Sequence, residues 1–281
     1  MRPGFLFFLS LLLLLMSPPG QSQVQPAPTT APAVSTNIRN QAVRSERLGI
    51  AFISSAQNPA DDTRYNNALS IGAGWTRWPL YWNEVEPTPQ NFDWQGYDAL
   101  VSDDLRYGLN INAILLGKPA NYADGASIAG LDEPIFIDGT DFAAPGKAIN
   151  PNNPWARFVF ESVNRYKPGG VLSQQRAWLP DQGIRVWEVW NEPDHTLFWQ
   201  AGSRAYVRLL KVAYIAAHQA DPDTTVMFGG LLYPTPNNFL AAVLNDIIDD
   251  PLHEANNWFM DAIAVHSYSY PRRTGWLVRF V

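Results

Sequence analysis

The chain alternates between short apolar runs and longer stretches with helical spacing. "LGIAFIS" (48–54) is an apolar run of strand type. "NPADDTRYNNALSI" follows, with Asn58 placed to cap a helix and Pro59 at its first position. "GWTRWPLYW" predicts a second strand, residues 97–107 a helix, and "LNINAILLG" (109–117) a third strand. A long stretch rich in Gly, Asp and Pro runs from Asn121 to Asn153, and Asn153-Pro154 opens the helix "WARFVFESVNRY". Residues 186–190 predict the fourth strand, "TTVMFGG" the fifth and "DAIAVHSYSY" the sixth. Between the fourth and fifth, Tyr206, Leu209, Leu210, Ala213, Ala216 and Ala217 fall on one helical face. Thr235-Pro236 starts a further helix, "NNFLAAVLNDII".

Strands alternating with helices predict a parallel sheet covered by helices, which both a doubly wound sheet and a (β/α)8 barrel satisfy. Polar and aromatic residues recur where the strands end: Arg77 and Trp78, Lys118, Asn191 and Glu192, His266 and Tyr268. Barrels draw their reactive groups from the carboxyl ends of several strands, so this recurrence favours the (β/α)8 TIM barrel. A dinucleotide-binding reading fails. "GAGWTR" at Gly72 has Arg77 where the third glycine belongs, and it precedes a strand instead of a helix.

Composition narrows the chemistry. The net charge of −6 and the absence of a Lys/Arg cluster argue against a nucleic-acid partner, which needs a basic face. No cysteine is present, which excludes disulfides, thiol catalysis and Cys-ligated metals. His195, His218, His253 and His266 show no ligand pairing, and neither a His-Glu-x-x-His helix nor an acidic calcium loop occurs. No Gly-x-Ser-x-Gly elbow carries a serine nucleophile. The expectation is that no cofactor is required. Eleven Trp and eleven Tyr suit either a large core or a surface that stacks on sugar faces.

The termini add two expectations. Arg2, the apolar run 5–16 and "SPPGQS" follow the order of a secretory signal peptide, assigned to 1–22. The run is too short to span a bilayer, which needs about 20 apolar residues, so no stable membrane insertion is expected after cleavage. Residues 23–46, rich in Pro, Thr and Ala, make a linker that buries too little apolar surface to fold. Residues 47–281 form the globular part, and the protein is expected outside the cell or in the periplasm.

"VWEVWNEPDH" (186–195) concentrates the candidate chemistry. An apolar strand runs into Glu192, and Pro193 stops the ladder there. Burial disfavours the ionised form of a carboxylic acid, and a protonated acid is what glycoside cleavage asks of its proton donor. Pattern alone leaves Glu192 open between that role and a solvated loop residue.

"WEVWNEP" resembles the fourth-strand motif of glycoside hydrolase clan A, retaining enzymes on (β/α)8 barrels. "GAGWTRWPLYWNEVEPTPQNFDW" resembles the second-strand segment of families thirty-nine and five, and "DAIAVHSYSYP" their sixth strand. The likeness runs over residues 48–270. It implies Glu192 as acid/base, Asn191 as a contact to the sugar 2-hydroxyl, Arg77 near the nucleophile, and His266 and Tyr268 lining the substrate site. Trp78, Trp82 and Trp199 are candidate sugar platforms, with the core as the alternative for each. Arg77 has a structural ion pair as its alternative, and His266 a satisfied core position. Glu188 lies deeper on the strand and is expected to make an internal polar contact.

In the families resembled, the nucleophile is a Glu ending a seventh strand. This chain stops at "PRRTGWLVRFV", just past the sixth, and Glu84, Glu86, Asp124 and Asp194 do not match the position. The expectation is therefore a barrel of about six βα units, a fragment of a longer catalytic domain. Its function would be that of a secreted glycosidase acting on plant or microbial oligo- or polysaccharides. The alternative is a non-catalytic carbohydrate-binding derivative of the same barrel. The segment 121–153 follows the third strand and is expected to wall the substrate cleft.

Overall fold

The computed structural model describes residues 44–232 and 238–268. All of these fall within one unit, Ala42–Val281, and the other unit, Met1–Gln41, lies outside them. The signal peptide, nearly all of the linker, the Thr235-Pro236 helix start and the chain beyond Tyr268 therefore lie outside the described residues.

The described strands are β1 (Ser45–Ala51), β2 (Ala73–Tyr81), β3 (Asn110–Leu116), β4 (Ala123–Asp124), β5 (Ser127–Ile128), β6 (Val186–Asn191), β7 (Thr225–Leu231) and β8 (Ala262–Val265). β4 and β5 pair as a separate antiparallel hairpin. The other six form one parallel sheet in the order β1-β2-β3-β6-β7-β8. A doubly wound sheet reverses its order at a switch point. Here each strand neighbours the next with no reversal, which decides for the (β/α)8 barrel, six strands of it being described.

The helices are α1 (Asp62–Ser70), α2 (Trp82–Val85), α3 (Gln95–Arg106), α4 (Pro154–Tyr166), α5 (Val171–Arg176), α6 (Gly202–Ala220) and α7 (Phe239–Ile248). α4 starts as its sequence predicts. Asn153 Oδ1 accepts from the Ala156 N–H at 3.0 Å, and Pro154 occupies the first helical position. α1 corrects the expected start. Its cap is Asp61, whose carboxylate accepts from the Arg64 N–H at 2.9 Å and complements the helix's positive end. Asn58 and Pro59 belong to the preceding turn, closed by the Asn58 N–H to the Ser55 carbonyl and the Ala60 N–H to Ser54 Oγ.

β1 also begins earlier than its apolar run, at Ser45, and ends at Ala51. As an edge strand it is mostly exposed, so its polar first residues cost nothing by pairing with β2. α6 is buried beyond the expected stripe, with Val212, Ile215 and even Lys211 covered. It packs against α4, α7, β6 and β7 together. Lys211 remains paired there, reaching Asp250 at 2.7 Å and Asp141 at 3.1 Å.

Four tryptophans, Trp78, Trp82, Trp155 and Trp187, are fully buried in the main core. Trp78 donates its indole N–H to Asp104 at 2.7 Å, and Tyr65 donates its hydroxyl to the same carboxyl at 2.8 Å. Asp104 is itself fully buried. Desolvation outweighs these two hydrogen bonds and pushes its carboxyl up to about 7, against 3.8 for the free group.

Between pH 3.8 and 7 the folded chain keeps a proton that the unfolded chain has lost. The stability contributed by Asp104 is complete below that window and declines as pH rises through it. Asp104→Asn keeps an amide oxygen for Trp78 and removes the titration. Urea unfolding at pH 5 and pH 8 is expected to show the variant gaining on the wild type by on the order of 1 kcal/mol or more. A stability difference independent of pH would contradict the assignment.

Candidate active site

Groups from β2, β3 and β7 converge on one buried carboxylate of β6. Glu188, at 0% exposure, accepts from Arg77 Nε at 2.9 Å and Arg77 Nη2 at 2.8 Å. Asn112 Nδ2 at 3.1 Å and the Gly230 N–H at 2.8 Å complete its shell. The expected internal polar contact of Glu188 is therefore a hub joining four strands. Arg77 uses Nη2 further, facing Asn191 Oδ1 and His266 Nε2, each at 3.2 Å.

His266 links this hub to Glu192. Its Nδ1 lies 2.7 Å from Glu192 Oε1. An ionised carboxylate only accepts, so opposite ionised Glu192 the ring proton sits on Nδ1 and His266 donates to Oε1. Tyr268 adds its hydroxyl to the same Oε1 at 3.2 Å, and burial with the nearby Glu192 charge raises its phenol pKa. Glu192 is 7% exposed, and Oε2 has no hydrogen bond among the described residues.

The local backbone explains how Asn191 and Glu192, adjacent in sequence, reach one site. A regular strand sends neighbours to opposite faces. Trp190 (φ 70°) and Glu192 (φ 44°) both take left-handed conformations and break that alternation. Such residues cost about 1–3 kcal/mol each and persist only where surroundings hold them. Here the Trp190 indole N–H bonds the Phe198 carbonyl at 2.8 Å, and the Glu192 N–H bonds the Gly230 carbonyl at 3.0 Å.

Arg77, Asn191, Glu192, His266 and Tyr268 are thus brought together. All three tryptophan platforms are corrected. Trp78 and Trp82 are fully buried, their indole N–H groups bound to Asp104 and Glu86, and present no ring face to a ligand. Both sit at positions whose side chains pack against helices outside the sheet, Trp78 beside Tyr97 and Trp82 beside Phe158. Trp199 is 5% exposed and lines a neighbouring cleft of about 400 Å3 with Trp190, Lys118 and Tyr81. Lys118 is a clamp, donating to the Gly125 and Ser127 carbonyls of the β4–β5 hairpin, and burial lowers its pKa.

The segment 121–153 divides in two. Its hairpin end, Gly125 and Ala126, lines the cleft beside Trp199. The remainder turns away, with Asp141 paired to Arg208 and the Ala144 and Lys147 carbonyls accepting from Gln219 near the end of α6. That part braces the helical layer and does not wall the cleft.

Of the other carboxylates, Glu86 is fully buried among Trp82, Tyr122 and Arg157, and Glu84 accepts from Tyr97. No three His, Asp or Glu side chains form a metal-ligand set among the described residues. Sequence reasoning passed over Asn112 and Gly230. Asn112 was visible as one of two amides, with Asn110, in an otherwise apolar strand. Gly230 was not, because its role depends on His266: a Cβ there would lie 2.1 Å from the imidazole Nε2.

Solved structures resemble this fold. A family 39 glycoside hydrolase from Xanthomonas axonopodis pv. citri is 16% identical, with a TM-score of 0.51 over 80% of this chain and 40% of its own. A glucosidase from Croceicoccus marinus is 13% identical, with a TM-score of 0.51 over 77% and 43%. The fold is that of the glycoside hydrolase barrels. This agrees with the clan A resemblance, and at these identities it establishes the fold alone. The chain spans about two fifths of the length of these structures. No protein-family model and no curated protein matches it.

Gly230→Ala is expected to push His266 off Glu192 and, by overpacking, to lower stability in urea unfolding by about 1–3 kcal/mol. In a His266→Ala background the same change should add little, because the clash is gone. Equal losses in both backgrounds would show that Gly230 matters for another reason.

Proposed function

We propose that this protein is a secreted retaining glycoside hydrolase acting on plant or microbial oligo- or polysaccharides, with Glu192 as its acid/base. One observation carries the reading: Glu192 stands at the end of β6 with Oε1 held by His266 and Tyr268, and Oε2 has no hydrogen bond among the described residues. A proton on Oε2 passes to the glycosidic oxygen as the C1–O bond breaks, its electron pair leaving with that oxygen while a second carboxylate bonds to C1. Glu192, now a carboxylate, then takes a proton from the water that attacks C1 and displaces the second carboxylate. The two hydrogen bonds to Oε1 stabilise this ionised stage.

Asn191 has its amide oxygen turned to Arg77, which leaves its N–H groups to donate to a sugar hydroxyl. Retention needs a second carboxyl roughly 5 Å away as nucleophile. Glu188 does not supply it, being fully buried and saturated by four donors. The resemblance takes that group from a seventh strand. The apolar run behind Arg2 supports export, and N-terminal sequencing of protein recovered from the medium, beginning near Gln23, checks it.

Glu192→Gln in the whole protein is expected to slow cleavage of glycosides with poor leaving groups by about 10²–10⁴-fold. Substrates whose leaving group departs without a proton should be spared in the bond-breaking step. Equal losses on both kinds of substrate, or no loss, would sink the acid/base assignment and favour a carbohydrate-binding protein.

A further inference from the structure

One peptide group ties the turn after Glu192 to the residue that holds its carboxyl. It joins Leu231 to Leu232 at the carboxyl end of β7. Its carbonyl accepts from the His266 backbone N–H at 2.8 Å, and its N–H donates to Asp194 Oδ1 at 3.0 Å. Asp194 stands two residues beyond Glu192, and the His266 ring reaches Glu192 Oε1 at 2.7 Å. These links close a ring that runs from Glu192 through Pro193 and Asp194 to the Leu231–Leu232 peptide, then through His266 back to the Glu192 carboxyl.

Backbone pairing alone does not hold the strands together here. β6 and β7 pair at Val189 with Phe228 and at Asn191 with Gly230, and the register skips Trp190, where φ is 70°. The Tyr206 hydroxyl fills that gap, accepting from the Gly229 N–H at 2.9 Å and donating to the Val189 carbonyl at 3.0 Å. Next along β7, the Gly230 N–H ends on the Glu188 carboxylate, and beyond it the Leu232 N–H ends on Asp194. Side chains therefore take three N–H groups of residues 229–232 that a regular ladder would give to carbonyls. Glu188 and Tyr206 are fully buried; Asp194 is partly exposed and lies in the turn that follows Glu192. Asp194, which matches no nucleophile position, thus has a different place in the site.

We propose that Asp194 is a positioning residue: through the Leu231–Leu232 peptide it sets the His266 backbone, and with it the imidazole that holds Glu192 Oε1. The effect on catalysis rests on Glu192 being the acid/base; the link from Asp194 to His266 does not.

Two variants of the whole protein separate these parts. Asp194→Ala removes the acceptor, and Asp194→Asn keeps an Oδ1 in its place. Amide hydrogen exchange followed by NMR reads the His266 N–H, whose own acceptor neither variant touches. Asp194→Ala is expected to speed its exchange at least tenfold relative to the Val159 N–H within α4, and Asp194→Asn to recover most of the protection. Misplacing the acid should also lower kcat/KM for glycosides with poor leaving groups by about 10- to 100-fold while sparing activated ones, again with recovery in Asp194→Asn. A merely structural role would lower both kinds of substrate alike. Unchanged His266 exchange in Asp194→Ala, or no recovery in Asp194→Asn, overturns the link whatever the kinetics show. Faster exchange with equal losses on both substrates, while Glu192→Gln discriminates between them, overturns the positioning of the acid. If Glu192→Gln does not discriminate either, the acid/base reading falls and the link from Asp194 to His266 stands.

Discussion

A carboxylate with no access to water must be neutralised where it lies, and Glu188 is the point on which the site depends. Its donors come from β2, β3 and β7 while it sits on β6 itself. The strand ends are thereby drawn to one place, and Arg77 carries the arrangement onward to Asn191 and His266. Breaking a buried pair of this kind by removing one partner costs about 3–5 kcal/mol, because the other charge is left uncompensated.

The backbone is forced to match. Trp190 and Glu192 accept left-handed conformations so that two consecutive side chains serve one site. The constraint is shared among a tryptophan N–H, a β7 carbonyl and a glycine whose missing side chain admits His266. Each of these contacts is long-range or lies in the turn after β6. The strain is therefore maintained by the packed barrel and the turn, and not by the strand's own sequence preference.

The turn after Glu192 also forms part of the neighbouring cleft. Trp190 closes the strained bend from within and forms part of the cleft wall, while Leu197 and Phe198 project from the returning chain. The hairpin opposite is held by the Lys118 ammonium, whose bonds to two carbonyls are made in a partly desolvated position. Farther along, Asp141 with Arg208 and Lys211 fixes the rest of the long segment to α6, so only its tip faces the site.

The alternation of strands and helices, the Asn153 cap of α4, and the candidates Glu192, Asn191, Arg77, His266 and Tyr268 were all legible in the amino-acid order. Strand and helix periods and cap chemistry are local, and chemistry-bearing residues stood where apolar runs ended. What was not local was not legible. Trp78 and Trp82 differ from a sugar platform only in which neighbours cover them, and α3 and α4 cover both. Asp61 displaced Asn58 as a cap because the turn around Ser54 and Ser55 engaged the earlier residues first. Glu188 carried no mark of its four donors, and Gly230 none of the histidine it admits. These were settled by the folded chain alone, since a buried charge and a missing Cβ acquire meaning from atoms that lie far away in the sequence.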